Sequence, residues 1–163
     1  MAFNNKYQLT LESELPDKYA SHIAPFWQQH SQTGEFIGVD GVLIRYIRIC
    51  QAGHQQAIVI SPGRIESYLK YQELSYDLAQ HGYDIYIIDH RGQGLSDRLT
   101  NNPEQGHVVQ FSDYVTDFAY WVDQELDLSA YRHCHLLAHS MGSTIAALYL
   151  MDHPQRFTRA AFC

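Results

Sequence analysis

The sequence has little cysteine, little positive charge and no long hydrophobic run. Its three cysteines, Cys50, Cys134 and Cys163, are odd in number and far apart, so neither a disulfide framework nor a metal site of cysteines is indicated. Lysine and arginine number 11 against 18 aspartates and glutamates, which gives a formal net charge of −7. This acidic balance argues against a nucleic-acid partner, which favours a basic patch. We expect no metal and no cofactor.

Membrane-spanning and secreted classes are also disfavoured. The longest apolar run, Thr144–Met151, is half or less of the roughly 18 residues that a membrane span needs. Residues 1–6 are polar and lack the apolar stretch of a signal peptide. The sequence therefore predicts a reduced, cytoplasmic setting and not a secreted protein.

The sequence does have enough apolar material for a packed core. Hydrophobic residues make up 45% and aromatic residues 13% of the 163 positions, which is too much for a disordered chain. At about 100–200 residues per domain, this length allows one domain or a piece of one. We interpret the polar and aromatic residues 1–33 as an N-terminal extension that packs on the core, and 34–163 as a partial core domain.

The core segment begins with the pattern of a β-hairpin and continues with alternating strands and helices. Asp40 and Gly41 separate the β-rich runs 35–39 and 42–50, and Asp-Gly favours a type I′ turn, which needs positive φ at both positions. Short apolar runs then predict buried strands at 57–60, 85–88, 134–138 and 160–163. Helical spacing predicts helices between them, from Tyr68 to Leu78, from a Ser112 N-cap to Leu126, and from Ser140 to Met151. The fold class is α/β, an antiparallel hairpin followed by parallel β/α units.

The most informative position is the corner between the third buried strand and the helix that follows. Ser140 stands there with Ala138 two residues before it and Gly142 two residues after it. A serine between small residues at a strand-to-helix turn is typical of a nucleophile elbow, because the turn is too tight for larger neighbours. The usual glycine is replaced by Ala138, whose methyl group leaves the turn possible. The competing interpretation is that Ser140 is an ordinary helix N-cap.

A serine nucleophile needs two donors aimed at the oxygen that becomes negative during acyl transfer. One is the backbone N–H of the residue after the nucleophile, here Met141. The loop that follows the first buried strand supplies the other, and Arg64 is the candidate, with Gly63 allowing close backbone approach. The alternative for this loop is an ordinary Pro-Gly turn.

A glycine-rich loop, 89–94, follows the second buried strand but does not have the spacing of a dinucleotide fingerprint. We interpret Asp89 and Arg91 as residues that tie the loop together beside the site, and His90 as a packing residue. No cofactor is therefore expected at this loop.

The general base is not found among these residues. In α/β hydrolases the order along the chain is Ser, then Asp or Glu, then His. Only Asp152 and His153 follow Ser140 in that order, and they lie about 18 Å away at the far end of the helix. His139 is predicted to point away from the hydroxyl, and His107 precedes the nucleophile. We expect the base and its acid to lie beyond this chain.

Taken together, five blocks resemble the bacterial lysophospholipase L-two family, inner-membrane enzymes of the α/β-hydrolase superfamily that are related to the monoacylglycerol lipases. The blocks are Ser61–Tyr68, Ile87–Gly94, Gly106–Val108, Asp113–Val115 and Ala138–Gly142. The resemblance covers most of 35–163, and Ser143 stands where this family has glycine.

The resemblance implies hydrolysis of the fatty acyl ester of a lysophospholipid by a Ser-His-Asp mechanism, with peripheral contact to the bacterial inner membrane. It also implies that the chain stops before the C-terminal strands and the lid over the acyl chain. Monoacylglycerol or another carboxylic ester is the alternative substrate. A non-catalytic fragment, or a binding module on a hydrolase scaffold, is the alternative from another class. We expect the chain alone to be inactive.

Overall fold

The computed structural model describes residues 5–163 and has a mixed six-stranded sheet at its centre. The strands are β1 Ser31–Ile37, β2 Leu43–Ile49, β3 Gln56–Ser61, β4 Tyr83–Asp89, β5 His133–Ala138 and β6 Arg159–Phe162. Their spatial order is β1-β2-β4-β3-β5-β6. The pairs β1/β2 and β2/β4 are antiparallel, and β3 lies parallel to both β4 and β5, which in turn pairs with β6. The predicted hairpin and parallel sheet are both confirmed.

The hairpin turn has the geometry that its sequence demands. Asp40 has φ 55° and Gly41 has φ 78°, so both central positions have the positive φ of a type I′ turn. The strand before this turn is longer than predicted, because β1 begins at Ser31 rather than at Glu35. The boundary drawn between residues 33 and 34 therefore falls inside a strand.

The helices follow the predicted pattern with shifted ends. They are α1 Leu15–Lys18, α2 Ala24–His30, α3 Gln72–Gln80, α4 Phe111–Tyr120 and α5 Met141–Asp152. The expected start of α3 is a separate 3-10 turn, Tyr68–Tyr71, because the Ser67 hydroxyl accepts the Leu69 N–H and starts a tighter turn. The end of the helix expected to reach Leu126 is a π-helical segment, Trp121–Glu125.

The prediction that Ser112 caps α4 is wrong. The N-cap is Gln110, whose side chain and that of Asp113 form a reciprocal capping box with the backbone. Asp113 Oδ2 accepts the Gln110 N–H at 3.3 Å. A capping box satisfies two of the free N–H groups at a helix start, which a lone serine cap does not.

Both faces of the central strands are buried, so the sheet is enclosed by two layers. On one face the sheet packs against α4, the π-helical segment and α5, through large aromatics; these are Tyr114, Phe118, Trp121 and Tyr149. On the other face the isoleucines of β2, β3 and β4 meet Trp27 of α2, Tyr68 of the 3-10 turn and Ala79 of α3. This packing fixes the carboxyl ends of β3, β4 and β5 side by side, and the loops that leave them form the site.

Candidate active site

Ser140 lies at a strained corner between β5 and α5. Its φ is 51° and its ψ is −117°, a conformation that residues with a side chain rarely adopt. Its hydroxyl makes no capping hydrogen bond to the first turn of α5. An ordinary N-cap serine has extended φ and ψ and accepts such a bond, so Ser140 occupies the N-cap position of α5 without the backbone or the side-chain bond of an ordinary cap.

Close packing explains the small residues on either side of this corner. A Cβ at Gly142 would collide with the carbonyl oxygen of Ser61 and would lie 2.5 Å from that of Pro62. Ala138 is fully buried between the paired strands β3 and β6. The Ser143 hydroxyl donates to the Ala138 carbonyl at 2.9 Å, so a serine is accommodated at the position where glycine is usual.

The two predicted donors flank this corner. Gly63 is so close that a Cβ there would lie 3.2 Å from the Ser140 Cβ, which places the Arg64 loop against the elbow. In residues 5–163, no protein acceptor takes the backbone N–H of Arg64 or that of Met141. The Arg64 side chain is occupied elsewhere, since Nη2 donates to the Gly106 carbonyl at 2.8 Å.

Asp89 organises the glycine-rich loop. Its buried carboxylate accepts the backbone N–H of Tyr68 at 2.6 Å and that of Leu95 at 2.7 Å. Burial raises the pKa of Asp89, and the bonds from Leu95, Tyr68 and Ser67 offset part of that rise. Gly94 has φ 54° and leaves no room for a side chain beside this carboxylate. Asp89 therefore joins both ends of the loop to the segment that precedes α3.

Arg91 does not close the loop with Asp89 as predicted. Its guanidinium is fully buried and makes a two-pronged contact with Asp117 of α4, with Nε donating at 2.6 Å and Nη2 at 2.8 Å. Nη2 also donates to the Val39 carbonyl at 3.1 Å. A buried guanidinium needs a matched carboxylate, and Asp117 supplies it, so Arg91 joins the loop to α4 and to the hairpin turn.

His90 is a core residue. It is 1% exposed and its ring packs against Tyr114 and Phe118. Its Nε2 lies 3.0 Å from the Ser61 hydroxyl, which donates to the Gly142 carbonyl. Burial lowers the pKa of His90 to about 3. This neutral, buried ring packs beside the turn at Ser140 through the Ser61 hydroxyl and cannot contact a substrate.

None of the histidines within residues 5–163 hydrogen-bonds to the Ser140 hydroxyl. His139 turns to Glu66, with Nδ1 3.1 Å from Oε2. His153, at the far end of α5, faces Asp123 at 3.7 Å. His107 is exposed in the loop before α4. The described part of the chain therefore offers the nucleophile position and two donors without a proton acceptor.

Two residues of the site were missed by sequence reasoning. Glu66 is 8% exposed and accepts bonds from the Gly63 N–H at 2.7 Å and from the Tyr71 hydroxyl at 2.7 Å, besides its contact with His139. Gln93 donates to the Gly63 carbonyl at 2.7 Å. The available signal was local: Glu66 lies three residues after Gly63 in the proposed donor loop, and Gln93 lies within the glycine-rich loop.

The loop that carries Arg64 separates two cavities. A cavity of about 450 Å³ opens on the side of Glu66, Tyr71 and His139. A second, of about 370 Å³, opens on the side of Arg64 and Gln93. Both sides of the loop are thus accessible to ligands in this structure.

Residues 5–163 contain no cluster of histidine, cysteine, aspartate or glutamate that could hold a metal ion. The three cysteines are unpaired thiols. In the same range, no helix is both long enough and apolar enough to cross a membrane.

Comparisons with known proteins identify relatives over most of the chain. A family model described as "Serine aminopeptidase, S33" matches residues 52–163. "Lysophospholipase L2" of Escherichia coli (strain K12) is 48% identical over 132 residues, which are 81% of this chain and 38% of that protein. "Probable lysophospholipase L2" of Haemophilus influenzae is 35% identical over 142 residues, which are 86% of this chain and 44% of that protein. The chain therefore spans less than half the length of these curated relatives.

The solved structures show the same fold. An α/β hydrolase from Novosphingobium aromaticivorans superposes with a TM-score of 0.64 at 16% identity, over 82% of this chain and 44% of that one. At this identity the likeness shows the fold alone. The predicted α/β-hydrolase fold is confirmed.

Proposed function

Because this chain belongs to the serine aminopeptidase S33 family and has the α/β-hydrolase fold, we propose that it supplies the nucleophile and the oxyanion hole of a serine hydrolase. The observation that carries the proposal is the corner at Ser140. A positive φ on a residue with a side chain costs on the order of 1–3 kcal/mol and persists where the surroundings impose it. The hydroxyl at this corner is not used as a cap.

In this mechanism the Ser140 Oγ attacks the carbonyl carbon of an ester while a base takes its proton. The carbonyl electrons move to the oxygen, which the N–H groups of Arg64 and Met141 stabilise. Collapse of this intermediate expels the alcohol, which receives the proton, and leaves an acyl-serine. Water then attacks the acyl carbon by the same route and releases the fatty acid and the free serine.

The base in this proposal is a histidine outside these 163 residues, oriented by an aspartate that also lies outside them. Support comes from the contacts of His139 and His153, which are directed to Glu66 and Asp123. The greater length of the relatives leaves room for both residues. The 163-residue polypeptide alone is expected to show no Ser140-dependent ester turnover, and measurable turnover by the pure polypeptide would contradict this assignment.

The proposed substrate is a lysophospholipid, cleaved at its fatty acyl ester. The two relatives named lysophospholipases support this choice. Monoacylglycerol or another carboxylic ester is the second candidate, because the same attack on an acyl carbon serves all three. Parallel rates on a lysophospholipid and a monoacylglycerol of one chain length, with the whole protein, decide between them.

Exposed apolar side chains around the site favour peripheral contact with a lipid surface, in bacteria the inner membrane. Ile65, beside Arg64, is 87% exposed, and Val109 is 66% exposed. The Arg64–Gly106 bond connects the two loops that carry them. Ile65→Asp with Val109→Asp should weaken co-sedimentation with vesicles of phosphatidylethanolamine and phosphatidylglycerol. Met151→Asp, an equally polar change at the far end of α5, is the control and should not.

The nucleophile is tested by labelling the whole protein with a fluorophosphonate. The expected result is one label per molecule, located on Ser140 and lost in Ser140→Ala. Ser143→Ala, three residues further along the same helix, should retain the label. Equal labelling of Ser140→Ala, or a label that mass spectrometry places elsewhere, would overturn the proposal and favour a binding module.

A further inference from the structure

We infer that Glu66 and Gln93 are positioning residues, which hold the Arg64 N–H in the oxyanion hole and fix that hole against the nucleophile corner. The inference rests on the proposed function and deepens it. Glu66 follows β3, Gln93 follows β4 and the corner follows β5. The carboxyl ends of three neighbouring strands are thus connected through two side chains.

Three consecutive N–H groups in this loop differ in whether a side chain accepts from them. The Gly63 N–H donates to Glu66 Oε2 at 2.7 Å, and the Ile65 N–H donates to Gln93 Oε1 at 3.3 Å. The Arg64 N–H between them has no acceptor within residues 5–163. The two side chains therefore occupy the donors on either side and leave one donor for a substrate oxygen.

The carbonyl groups of the same loop are held as well. Gln93 Nε2 donates to the Gly63 carbonyl at 2.7 Å and to the Glu66 carbonyl at 3.1 Å. Gln93 is 6% exposed, so these bonds are shielded from water. A peptide flip in this loop would have to break them, which keeps the carbonyl oxygens away from the place where negative charge develops.

The loop conformation is strained and needs this support. Ile65 has φ 62°, and a β-branched residue in the left-handed region is a genuine outlier. Its side chain is almost fully exposed, so packing of that side chain does not impose the conformation. The bond from its N–H to Gln93 and the neighbouring Glu66 carboxylate are the contacts that hold the backbone there.

Glu66 also connects the Arg64 loop to the corner at Ser140. Glu66 Oε2 also contacts His139 Nδ1 at 3.1 Å, and His139 directly precedes Ser140. A Cβ at Gly63 would lie 2.8 Å from the same ring nitrogen. One carboxylate oxygen thus bonds to both segments that supply the proposed oxyanion donors, the Arg64 loop and the corner that leads into Met141.

The Glu66 carboxylate is charged and is held by several hydrogen bonds. Burial would raise the pKa of Glu66, but bonds from Lys70, Tyr71, the Gly63 N–H and His139 lower it to about 2. Lys70 Nζ lies 2.5 Å from Oε1. The Lys70 ammonium bonds to Oε1 and the Gly63 N–H to Oε2, and both groups can only donate, so a glutamine would place its NH2 group against one of them.

The test measures turnover per active site in the whole protein, with sites counted by fluorophosphonate titration. Glu66→Gln should lower kcat per titrated site by about tenfold to a hundredfold, below the 10²–10³-fold loss when an oxyanion donor is removed. KM should change by less than about threefold. Affinity for a trifluoromethyl ketone, which forms an anionic tetrahedral adduct, should fall in proportion to kcat.

A second test variant and a control variant accompany Glu66→Gln. Gln93→Met keeps the volume and removes the bonds to Gly63 and Ile65, and it should act in the same direction if Glu66→Gln does not fold. Glu125→Gln is the matched control, because Glu125 ends the π-helical segment Trp121–Glu125, lines neither cavity beside the loop and makes no side-chain hydrogen bond in the described structure. It should leave kcat per site unchanged.

The outcomes separate the two claims. If Glu66→Gln and Gln93→Met both retain kcat per titrated site within twofold of the wild type, the positioning role is wrong while labelling of Ser140 still supports the hydrolase. A loss confined to the number of titrated sites would show a purely structural role and would also overturn the inference. If the wild type itself is not labelled at Ser140, the proposed function fails first.

Discussion

The carboxyl ends and the amino ends of the parallel strands each hold a buried carboxylate that accepts several hydrogen bonds, but only the carboxyl ends carry the proposed site. At the carboxyl end, Glu66 accepts from a backbone N–H, a tyrosine, a lysine and a histidine. At the amino end, Asp84 accepts from the Gln51 N–H at 2.9 Å, His54 at 2.8 Å and Tyr131 at 2.6 Å. A buried, fully hydrogen-bonded carboxylate alone therefore does not indicate a site.

The difference lies in the backbone around each carboxylate. The carboxyl end contains positive φ at Ile65 and Ser140, which are not glycines, and two N–H groups that no protein acceptor takes. At the amino end the positive φ values belong to Gly53 and Gly82, for which they carry no penalty. Strained residues other than glycine therefore distinguish the end that carries the proposed site from the opposite end.

Adding one methyl group at each end of the strands tests this difference most directly. Gly142→Ala would push a Cβ into the backbone carbonyls of Ser61 and Pro62, which cannot move as a flexible side chain does. We expect a loss of more than about 3 kcal/mol in unfolding free energy, measured in urea, and loss of fluorophosphonate labelling.

Gly53→Ala is the matched change at the amino end, where the added Cβ has nothing within 4 Å. Its cost should be about 1–2 kcal/mol, from the positive φ alone, with labelling per folded molecule unchanged. Equal losses from the two substitutions would contradict the proposed difference between the ends.

The next largest expected effect is a loss of folding stability at low pH, caused by His90 at the carboxyl end. Because burial lowers the pKa of His90 to about 3 from an ordinary 6.5, the unfolded chain binds a proton below pH 6.5 that the folded chain does not. Stability is therefore complete above pH 6.5 and falls as the pH falls towards 3. Between pH 6.5 and 4.5 the wild type should lose about 2–3 kcal/mol more than His90→Phe.

Urea unfolding at several pH values measures this difference in slope. His107→Phe, a change at an exposed histidine, is the control and should follow the wild type. A slope for His90→Phe that matches the wild type would mean that His90 is protonated in the folded protein.

At the amino end, Asp84→Asn should cost about 2 kcal/mol and leave the chemistry intact. The carboxylate accepts from Gln51 and His54 at Oδ1 and from Tyr131 at Oδ2. An amide has one oxygen where the carboxylate has two, so at least one of these bonds is lost. We expect a lower urea midpoint with unchanged kcat per titrated site. A fall in kcat comparable to that of Glu66→Gln would show that the amino end also serves catalysis.

Local patterns explain which parts of this fold were predictable. The strands β3 and β4 are mostly apolar runs because both of their faces are buried, whereas β5 buries alternate residues. The corner at Ser140 is set by residues within two positions of it. By contrast, β1 is an edge strand with one buried residue, Phe36. Its first half therefore carries no apolar periodicity that sequence reasoning could detect.

The missed site residues depend on contacts between distant segments. Glu66 meets His139 across 73 positions, and Gln93 reaches the Gly63 carbonyl across 30. The Arg91–Asp117 pair spans 26 positions and displaced the expected Arg91–Asp89 arrangement. Such pairings arise when the sheet brings three loops together, so a motif within one loop does not contain them.

The smallest predicted effect concerns the strain itself. Ile65→Gly removes a β-branched side chain from φ 62°, where glycine has no steric penalty. Because the side chain is 87% exposed, little packing is lost, and the protein should become about 0.5–1 kcal/mol more stable despite the added freedom of the unfolded chain. Urea unfolding measures this gain, and vesicle co-sedimentation should weaken at the same time. Gly53 already occupies such a conformation without strain, so no comparable gain is available at the amino end. A loss of stability in Ile65→Gly would show that the Ile65 conformation is not strained and would leave Ser140 as the strained residue that separates the ends.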